Sequence, residues 1–311
     1  FARKQGLEPE ALTVVDTPKG PRLCLRTTLA GAQLRSSFND IIHESIRELP
    51  IPKRMRWGAS RVEFVRPVHW VVAMLGGESD FGTVLGLPTG NTTRGHRFHS
   101  SGEIRLERPE DYAEALAGAK VIADFEERRA MIREQVEVEA SALKAQAVID
   151  PDLLDEVTGL VEWPVALTGN FEPRFLSVPA EALVSSMKEH QKYFHLVDAD
   201  GALLPHFITL CNIESKDPAQ VIAGNERVIR PRLSDAAFFF ETDKQHSLFS
   251  RLEGLRSIVF QQKLGSLYDK SQRVSRLAGE LAAQLGGSVA DAERAGLLCK
   301  ADLGTQMVLE F

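Results

Sequence analysis

The chain has 311 residues, 43% apolar and 26% charged, with a formal net charge of −6. That balance is ordinary for a globular protein of two or three domains; it excludes a uniformly basic nucleic-acid coat but leaves room for a local basic patch. No apolar run reaches membrane-spanning length, and three scattered cysteines (Cys24, Cys211, Cys299) suit a reducing cytoplasm better than a disulfide framework or a zinc ribbon.

The opening segment, FARKQGLEPE, lacks an initiator methionine and the apolar centre of a signal peptide, so the sequence reads as a fragment. Residues 11–29 carry two short apolar runs, Leu12–Val15 and Leu23–Leu25, across a Pro-Lys-Gly turn, and predict a hairpin. Leu34, Phe38, Ile41, Ile42, Ile46 and Leu49 recur at threes and fours, predicting an amphipathic helix that Pro50 and Pro52 stop. Lys53-Arg54-Met55-Arg56-Trp57-Gly58 then sets basic residues beside an aromatic. Such a stretch can hold phosphates and stack a base, or Trp57 can anchor a loop to the core. Val62–Leu75 predicts a strand interrupted at Pro67, turned by Gly76-Gly77 and followed by a second strand over Thr83–Leu87.

The segment from Gly90 to Arg97 has the glycine spacing of a phosphate-binding loop, but His96-Arg97 stands where Lys-Ser/Thr is required. His96 and His99, three apart, would lie on opposite faces of a strand and have no third ligand near. Arg94, His96 and Arg97 fit polar contacts to a phosphate backbone, or a structured turn.

Pro109 opens a short helix, and Asp124 with Glu127 caps a long charged helix to about Gln146, packed on one side only. Asp150-Pro151 starts a helix into Val157, and Val161–Leu167 is a strand through Trp163-Pro164. A helix over Ala180–His190 delivers Lys188, His190 and Lys192 next to Tyr193. Tyr193–Val197 and Leu203–Cys211 flank a hairpin turn at Asp198–Gly201. Strands 62–75, 161–167, 193–197 and 203–211 predict one sheet, with the helices of 109–157 inserted.

Asp217-Pro218 caps the helix leading into Gly224–Asp243, where Arg227, Arg230 and Arg232 surround Pro231 ahead of Phe238–Phe240. Proline predicts a break there, with one helix to about Val228 and another from Pro231. Val228, Ile229, Leu233, Ala236, Ala237 and Phe240 form the buried stripe, leaving the arginines at the joint. They can meet phosphates there; equally, Arg232 can pair with Asp235 and the others with Glu226 or Glu241. Beyond Asp243 the chain is expected to be all helix. Leu248, Leu252, Leu255 and Val259 space one helix. Leu267, Val274, Leu277, Leu281 and Leu285 space the next, ending at Gly286-Gly287. Ser288 with Asp291 then caps a last helix still running at Phe311.

The fold class is therefore α+β. A hairpin and helix occupy 1–60, a mixed-sheet domain 61–215 with its helical insertion at about 109–157, a helical connector with a basic joint 216–255, and a helical region 256–311. No dinucleotide fingerprint, complete phosphate loop or nucleophile elbow is present, and no cysteine has a histidine near it in sequence.

The string GNERVIRPRLSDAAFFFETD (Gly224–Asp243), with SMKEHQKYF (Ser186–Phe194) and KLGSLYDK (Lys263–Lys270), resembles the beta-subunit family of the bacterial tetrameric glycyl-tRNA synthetase. So do LPIPKRMRWGASRVEFVRPVHW (Leu49–Trp70), RGHRF (Arg94–Phe98), LVEWPV (Leu160–Val165) and CKADLGTQMVLEF (Cys299–Phe311), in the family's order along the whole chain. The resemblance implies a cytoplasmic, non-catalytic subunit that grips tRNA(Gly) in an α2β2 assembly, with no role for membrane or DNA. It implies that glycine activation with ATP and Mg²⁺ belongs to the separate alpha subunit, leaving this chain without catalytic residues, cofactor or metal. It also implies a first part similar to the editing-type domain of phenylalanyl-tRNA synthetase's beta chain, and an HD-like helical part after about Leu255. No histidine follows His246 and Asp302 has no metal-binding partners, so phosphohydrolase activity is not expected there. The family's anticodon-binding C-terminal region is missing. Candidates for the grip are Arg54, Arg56, Arg94, His96, Arg97, Lys188, Lys192, Arg227, Arg230 and Arg232, with Trp57 and Tyr193 as stacking faces. The alternative reading is a protein-interaction scaffold whose basic loops meet an acidic partner; steep, log-linear weakening with salt would mark RNA binding.

Overall fold

The computed structural model describes residues 12–25, 31 and 33–310. Expectations for the opening segment, for 26–29 and for Phe311 lie outside them, as does the side chain of Leu34 in the predicted helical stripe. The described residues form two compact units. One runs to Thr93 and takes in Glu103–Asp111; the other comprises Arg94–Gly102 and the chain from Tyr112 onward.

In the first unit β1 (Leu12–Thr17) and β2 (Gly20–Leu25) make the predicted antiparallel hairpin, with Thr17 opposite Gly20. Helix α1 (Leu34–Glu48) follows, and its Phe38 ring lies 4.7 Å from that of Phe81, while Ile41 and Leu49 of the predicted stripe are exposed. The long strand expected over Val62–Leu75 does not form, since Pro67 removes a ladder donor from its middle. Short pieces replace it. β3 (Met55–Arg56) pairs with β4 (Glu63–Phe64), and β5 (Val71–Val72) runs parallel to β7 of the hairpin made by β6 (Thr83–Val84) and β7 (Leu87–Gly90). β8 (Thr92–Thr93) pairs with β9 (Ile104–Arg105). None of these strands joins the large sheet predicted to hold 62–75. Phe81, Val84 and Leu106 are the buried apolar side chains of this unit among the described residues.

The second unit contains helices α2 (Tyr112–Gly118), α3 (Phe125–Ala142) and α4 (Pro151–Leu160). Asp124 and Asp150 accept hydrogen bonds from Glu127 N–H and Leu153 N–H at the starts of α3 and α4, as their sequence positions predict. Strands β10 (Gln146–Ala147), β11 (Val165–Asn170), β12 (Phe194–Val197) and β13 (Leu203–Cys211) form an antiparallel sheet in the spatial order β10-β12-β13-β11. Two boundaries differ from expectation. α3 stops at Ala142, so Gln146 falls in an edge strand, and β11 starts only after Pro164, which has no N–H to donate to a ladder.

Successive strand residues face opposite sides, and this sheet buries both. Ile208, Phe194 and Leu196 pack with Ile132, Val136 and Ala140, spaced by four on α3, and with Leu153, Leu154 and Val157 of α4. The other face carries Phe207. It packs with Tyr193, with Leu183 of α5 (Ala180–Ser185), with Met187 in the π-turn after it, and with α6 (Pro218–Lys244) through Ile229, Leu233 and Ala236.

Helix α6 corrects the predicted joint: it runs unbroken through Pro231. A mid-helix proline costs about 3 kcal/mol. Burying Ile229 and Leu233 stabilises by about 3–6 kcal/mol together, so the sheet-facing stripe holds the helix together across it. Val228, expected in that stripe, is exposed instead.

The expected all-helical end is likewise interrupted. Phe249–Ser257 is 3₁₀ helix, and β14 (Val259–Gln261) pairs with β15 (Gly265–Ser266), so Val259 belongs to an exposed hairpin. Ile258, Val259 and Phe260 are β-formers closely followed by a glycine turn, which overrides the leucine spacing upstream. Helix α7 (Leu267–Leu285) ends as predicted at Gly286, whose φ of +71° suits glycine. Its Leu277, Leu281 and Leu285 are exposed. α8 (Val289–Leu298) begins at the predicted Ser288 cap but stops at Leu298. A 3₁₀ turn and α9 (Gln306–Glu310) follow, in place of one helix running to the end. Asp243 and Arg251, with side chains only 11% and 12% exposed, form an ion pair 2.7 Å long. The Asp243 carboxylate also accepts the N–H groups of Gln306 and Met307, and Arg251 donates to the Gly304 carbonyl. No helix among the described residues is long and apolar enough to cross a membrane.

Candidate nucleic-acid interface

The candidate basic residues separate into those engaged within the fold and those left outward. Arg54 donates through Nη2 to the carbonyls of Ile46 and Arg47, the last turn of α1, where a cation also meets the negative end of the helix dipole. Arg56 pairs with Glu63 across β3 and β4, and Trp57 beside it is half-buried. Lys188 pairs with Asp150 at 2.8 Å and Lys192 with Glu156 at 2.9 Å. The hydrogen bond from Lys188, and then the Leu153 N–H, hold the Asp150 carboxyl below its ordinary range; the same bond to Asp150 raises the Lys188 ammonium. Arg230 pairs with Glu172 at 2.7 Å, not with Glu226 or Glu241. Glu226 instead accepts the Asn170 N–H, and Glu241 pairs with Lys244.

Two candidates are buried, which corrects their expected contact with RNA. Tyr193 is 3% exposed, its ring stacked on Phe207 at 4.4 Å and its hydroxyl donating to Asn225 Oδ1 at 2.7 Å. Burial pushes its pKa up to about 12. His96 is 2% exposed, and Arg94–Gly102 around it is loop rather than strand. The His96 and His99 rings therefore do not point to opposite faces; their centroids lie 4.7 Å apart.

That loop is tied down at its centre. Gly95 approaches Ala119 so closely that a Cβ there would collide with the alanine methyl. His96 N–H donates to the Ala119 carbonyl, and His96 Nδ1 accepts the Phe98 N–H at 3.2 Å. The proton therefore sits on Nε2, which donates to the Asn212 carbonyl at 2.6 Å. His99 Nε2 accepts the Glu214 N–H at 2.9 Å. Asn212 Oδ1 takes the N–H groups of Glu162 and Trp163, while Lys120 bonds Glu214 and lies 4.4 Å above the Trp163 ring. Both histidines thus use a ring lone pair on a backbone donor, and no cluster of three or more metal-ligating side chains occurs among the described residues.

Arg97 on this loop, and Arg227 and Arg232 on α6, are exposed; Arg94 is exposed too, and engaged. Arg97, Arg227 and Arg232 make no ion pair among the described residues, so the predicted Arg232–Asp235 pair is not formed. A cleft of about 390 Å³ opens beside Asn212, lined by Tyr112, Arg128 and Leu160. Arg128 is occupied there by the carbonyls of Thr158 and Ile122. Residue spacing did not single out Phe98, Asn212 or Glu214. For Phe98 the available signal was an aromatic next to arginine between two histidines; for the other two, nothing local marks a contact more than 110 residues away.

Residues 1–311 match the family described as glycyl-tRNA synthetase beta subunit. The chain belongs to the glycyl-tRNA synthetase beta-subunit family. It is 57% identical over 312 residues to the glycine–tRNA ligase beta subunit of Hahella chejuensis, and 55% identical to those of Chromohalobacter salexigens and Marinobacter nauticus. Each alignment covers 100% of this chain and 45% of the relative, so the chain spans a little under half the length of these beta subunits. In this member of the beta-subunit family, the outward arginines sit on a pinned loop and on a helix that buries Ile229, Leu233 and Ala236.

Proposed function

We propose that this chain grips tRNA(Gly) on behalf of a glycine–tRNA ligase whose adenylate-forming site, with its ATP and Mg²⁺, lies on a separate alpha subunit. The whole-length match to the beta-subunit family carries this reading. The outward Arg97, Arg227 and Arg232 supply cations that phosphates can meet without breaking an internal pair. Holding the acceptor end in line with an adenylate is a positioning effect worth orders of magnitude in rate, and it needs no reacting group on the subunit that does it. The assembly is proposed as a cytoplasmic α2β2 complex. The part after Leu255 is proposed as HD-like in fold, without hydrolase chemistry.

The test uses a full-length beta subunit bound to its alpha subunit. Replacing Arg97, Arg227 and Arg232 by alanine is expected to depress aminoacylation and leave glycine-dependent ATP–pyrophosphate exchange near its unmodified rate. The log–log salt slope of tRNA binding should flatten by up to about three charges' worth. Equal loss of exchange and aminoacylation in correctly assembled complexes would assign these residues to support of the alpha subunit instead.

A further inference from the structure

Phe98 is 73% exposed, on a loop whose His96, His99 and Ser100 are held by hydrogen bonds. Its own N–H is bonded to His96 Nδ1, and the next residue, His99, is bonded to Glu214. The loop is therefore ordered by polar contacts beneath it while its aromatic ring faces water. Leaving such a ring exposed forfeits about 1.5–3 kcal/mol of burial that a bound base could recover.

The ring's surroundings indicate which kind. Arg97 precedes it, outward and without an ion pair among the described residues, and His99-Ser100-Ser101 follow it. Phe98 thus stands among polar neighbours along the loop, with the buried His96 ring 6.1 Å away. A protein partner usually reads a contiguous apolar patch of several hundred square ångströms. An unpaired nucleotide needs much less: one ring face for the base and one cation for the phosphate. Fixing the ring beforehand also spares the ordering entropy of binding.

We propose that Phe98 is a stacking platform for an unpaired base of RNA, with Arg97 on the phosphate next to it. This rests on the tRNA-gripping reading and adds a residue and a mode of contact to it.

The experiment measures tRNA(Gly) affinity across salt for the full-length complex with its alpha subunit, using Phe98→Ala, Phe98→Trp and Arg97→Ala. Since the ring is 73% exposed, all three are expected to assemble and melt close to the unmodified complex. Phe98→Ala should weaken binding about 5- to 100-fold with the salt slope unchanged, because stacking is uncharged. Phe98→Trp should bind within a few-fold of the unmodified complex, and its added indole emission should be quenched by RNA. Arg97→Ala should reduce the slope by about one. Phe98→Ala binding tRNA as tightly as the unmodified complex would overturn this proposal alone. Loss of alpha-subunit co-purification in Phe98→Ala would overturn it in favour of a protein contact. An unmodified complex that does not bind tRNA would take the tRNA-gripping reading down with it.

Discussion

In the second unit one sheet buries side chains on both faces, Phe194 and Ile208 on one and Tyr193 and Phe207 on the other. The first unit divides its strands among pieces of two and three, and its buried apolar core among the described residues is Phe81, Val84 and Leu106. Cations are engaged in both units, Arg230, Lys188 and Arg251 among them in the second, but the thin core leans on them more. Where apolar burial is thin, guanidinium groups tie elements together: Arg54 closes the last turn of α1, and Arg56 bridges two strands. Where burial is ample, as under α6, Ile229 and Leu233 secure the helix and Arg227 and Arg232 are left facing water. A basic run in a sequence therefore says little about binding until the core beneath it is known.

The largest effect that would test this contrast comes from the second core. Phe194→Ala should destabilise by about 3–5 kcal/mol, and Phe81→Ala by less, because a cavity near the surface of a thin core can collapse or flood. Trp57 and Trp70 lie in the first unit and Trp163 in the second, so denaturation followed by single-tryptophan emission assigns each loss to its unit. Equal displacement of all three signals by either variant would erase the distinction.

Next in size is Arg54→Ala, which removes two charge-assisted bonds to helix carbonyls and should lower stability by about 1–3 kcal/mol while leaving the salt slope of RNA binding alone. A flattened slope would return Arg54 to the phosphate-binding set. Tyr193→Phe loses only the bond to Asn225 and should cost about 1 kcal/mol, with tRNA affinity unchanged because its ring face is covered by Phe207.

The smallest effect is a pH dependence. Burial, reinforced by the charge of Lys188, lowers the His195 pKa in the folded chain. As pH falls below about 6.5 the unfolded chain binds that proton first, so stability declines from there down to the folded pKa. His195→Gln should flatten this stretch of a stability–pH profile. The depressed Asp150 carboxyl acts in a separate, more acidic window. Its contribution is present above about pH 3.9 and is lost as pH falls through its folded value.

Much of the second unit was legible because local signals and burial agree there: the caps at Asp124 and Asp150, the Asp198–Gly201 turn, and the helix stop at Gly286. Readings went astray where a long-range term outweighed a local one. Pro231 signals a break, but the apolar face of α6 against the sheet keeps the helix whole. Leucine spacing continued a helix through Val259, where a β-rich triplet before Gly265 makes a hairpin. Among the site residues, type and neighbourhood were readable, but availability was not. Glu172 lies 58 residues from Arg230, and Glu156 lies 36 from Lys192. No spacing rule reveals that those cations are already paired.

The Asp243 carboxylate has a consequence in time. It holds the backbone of Gln306 and Met307 across 63 and 64 positions of chain. Closure of so long a loop is entropically opposed and comes late in folding. A contact absent from the transition state slows escape from the native state without hastening arrival there. Asp243 and its partner Arg251 therefore act as a brake on opening, setting how long α9 stays docked once it has found its place.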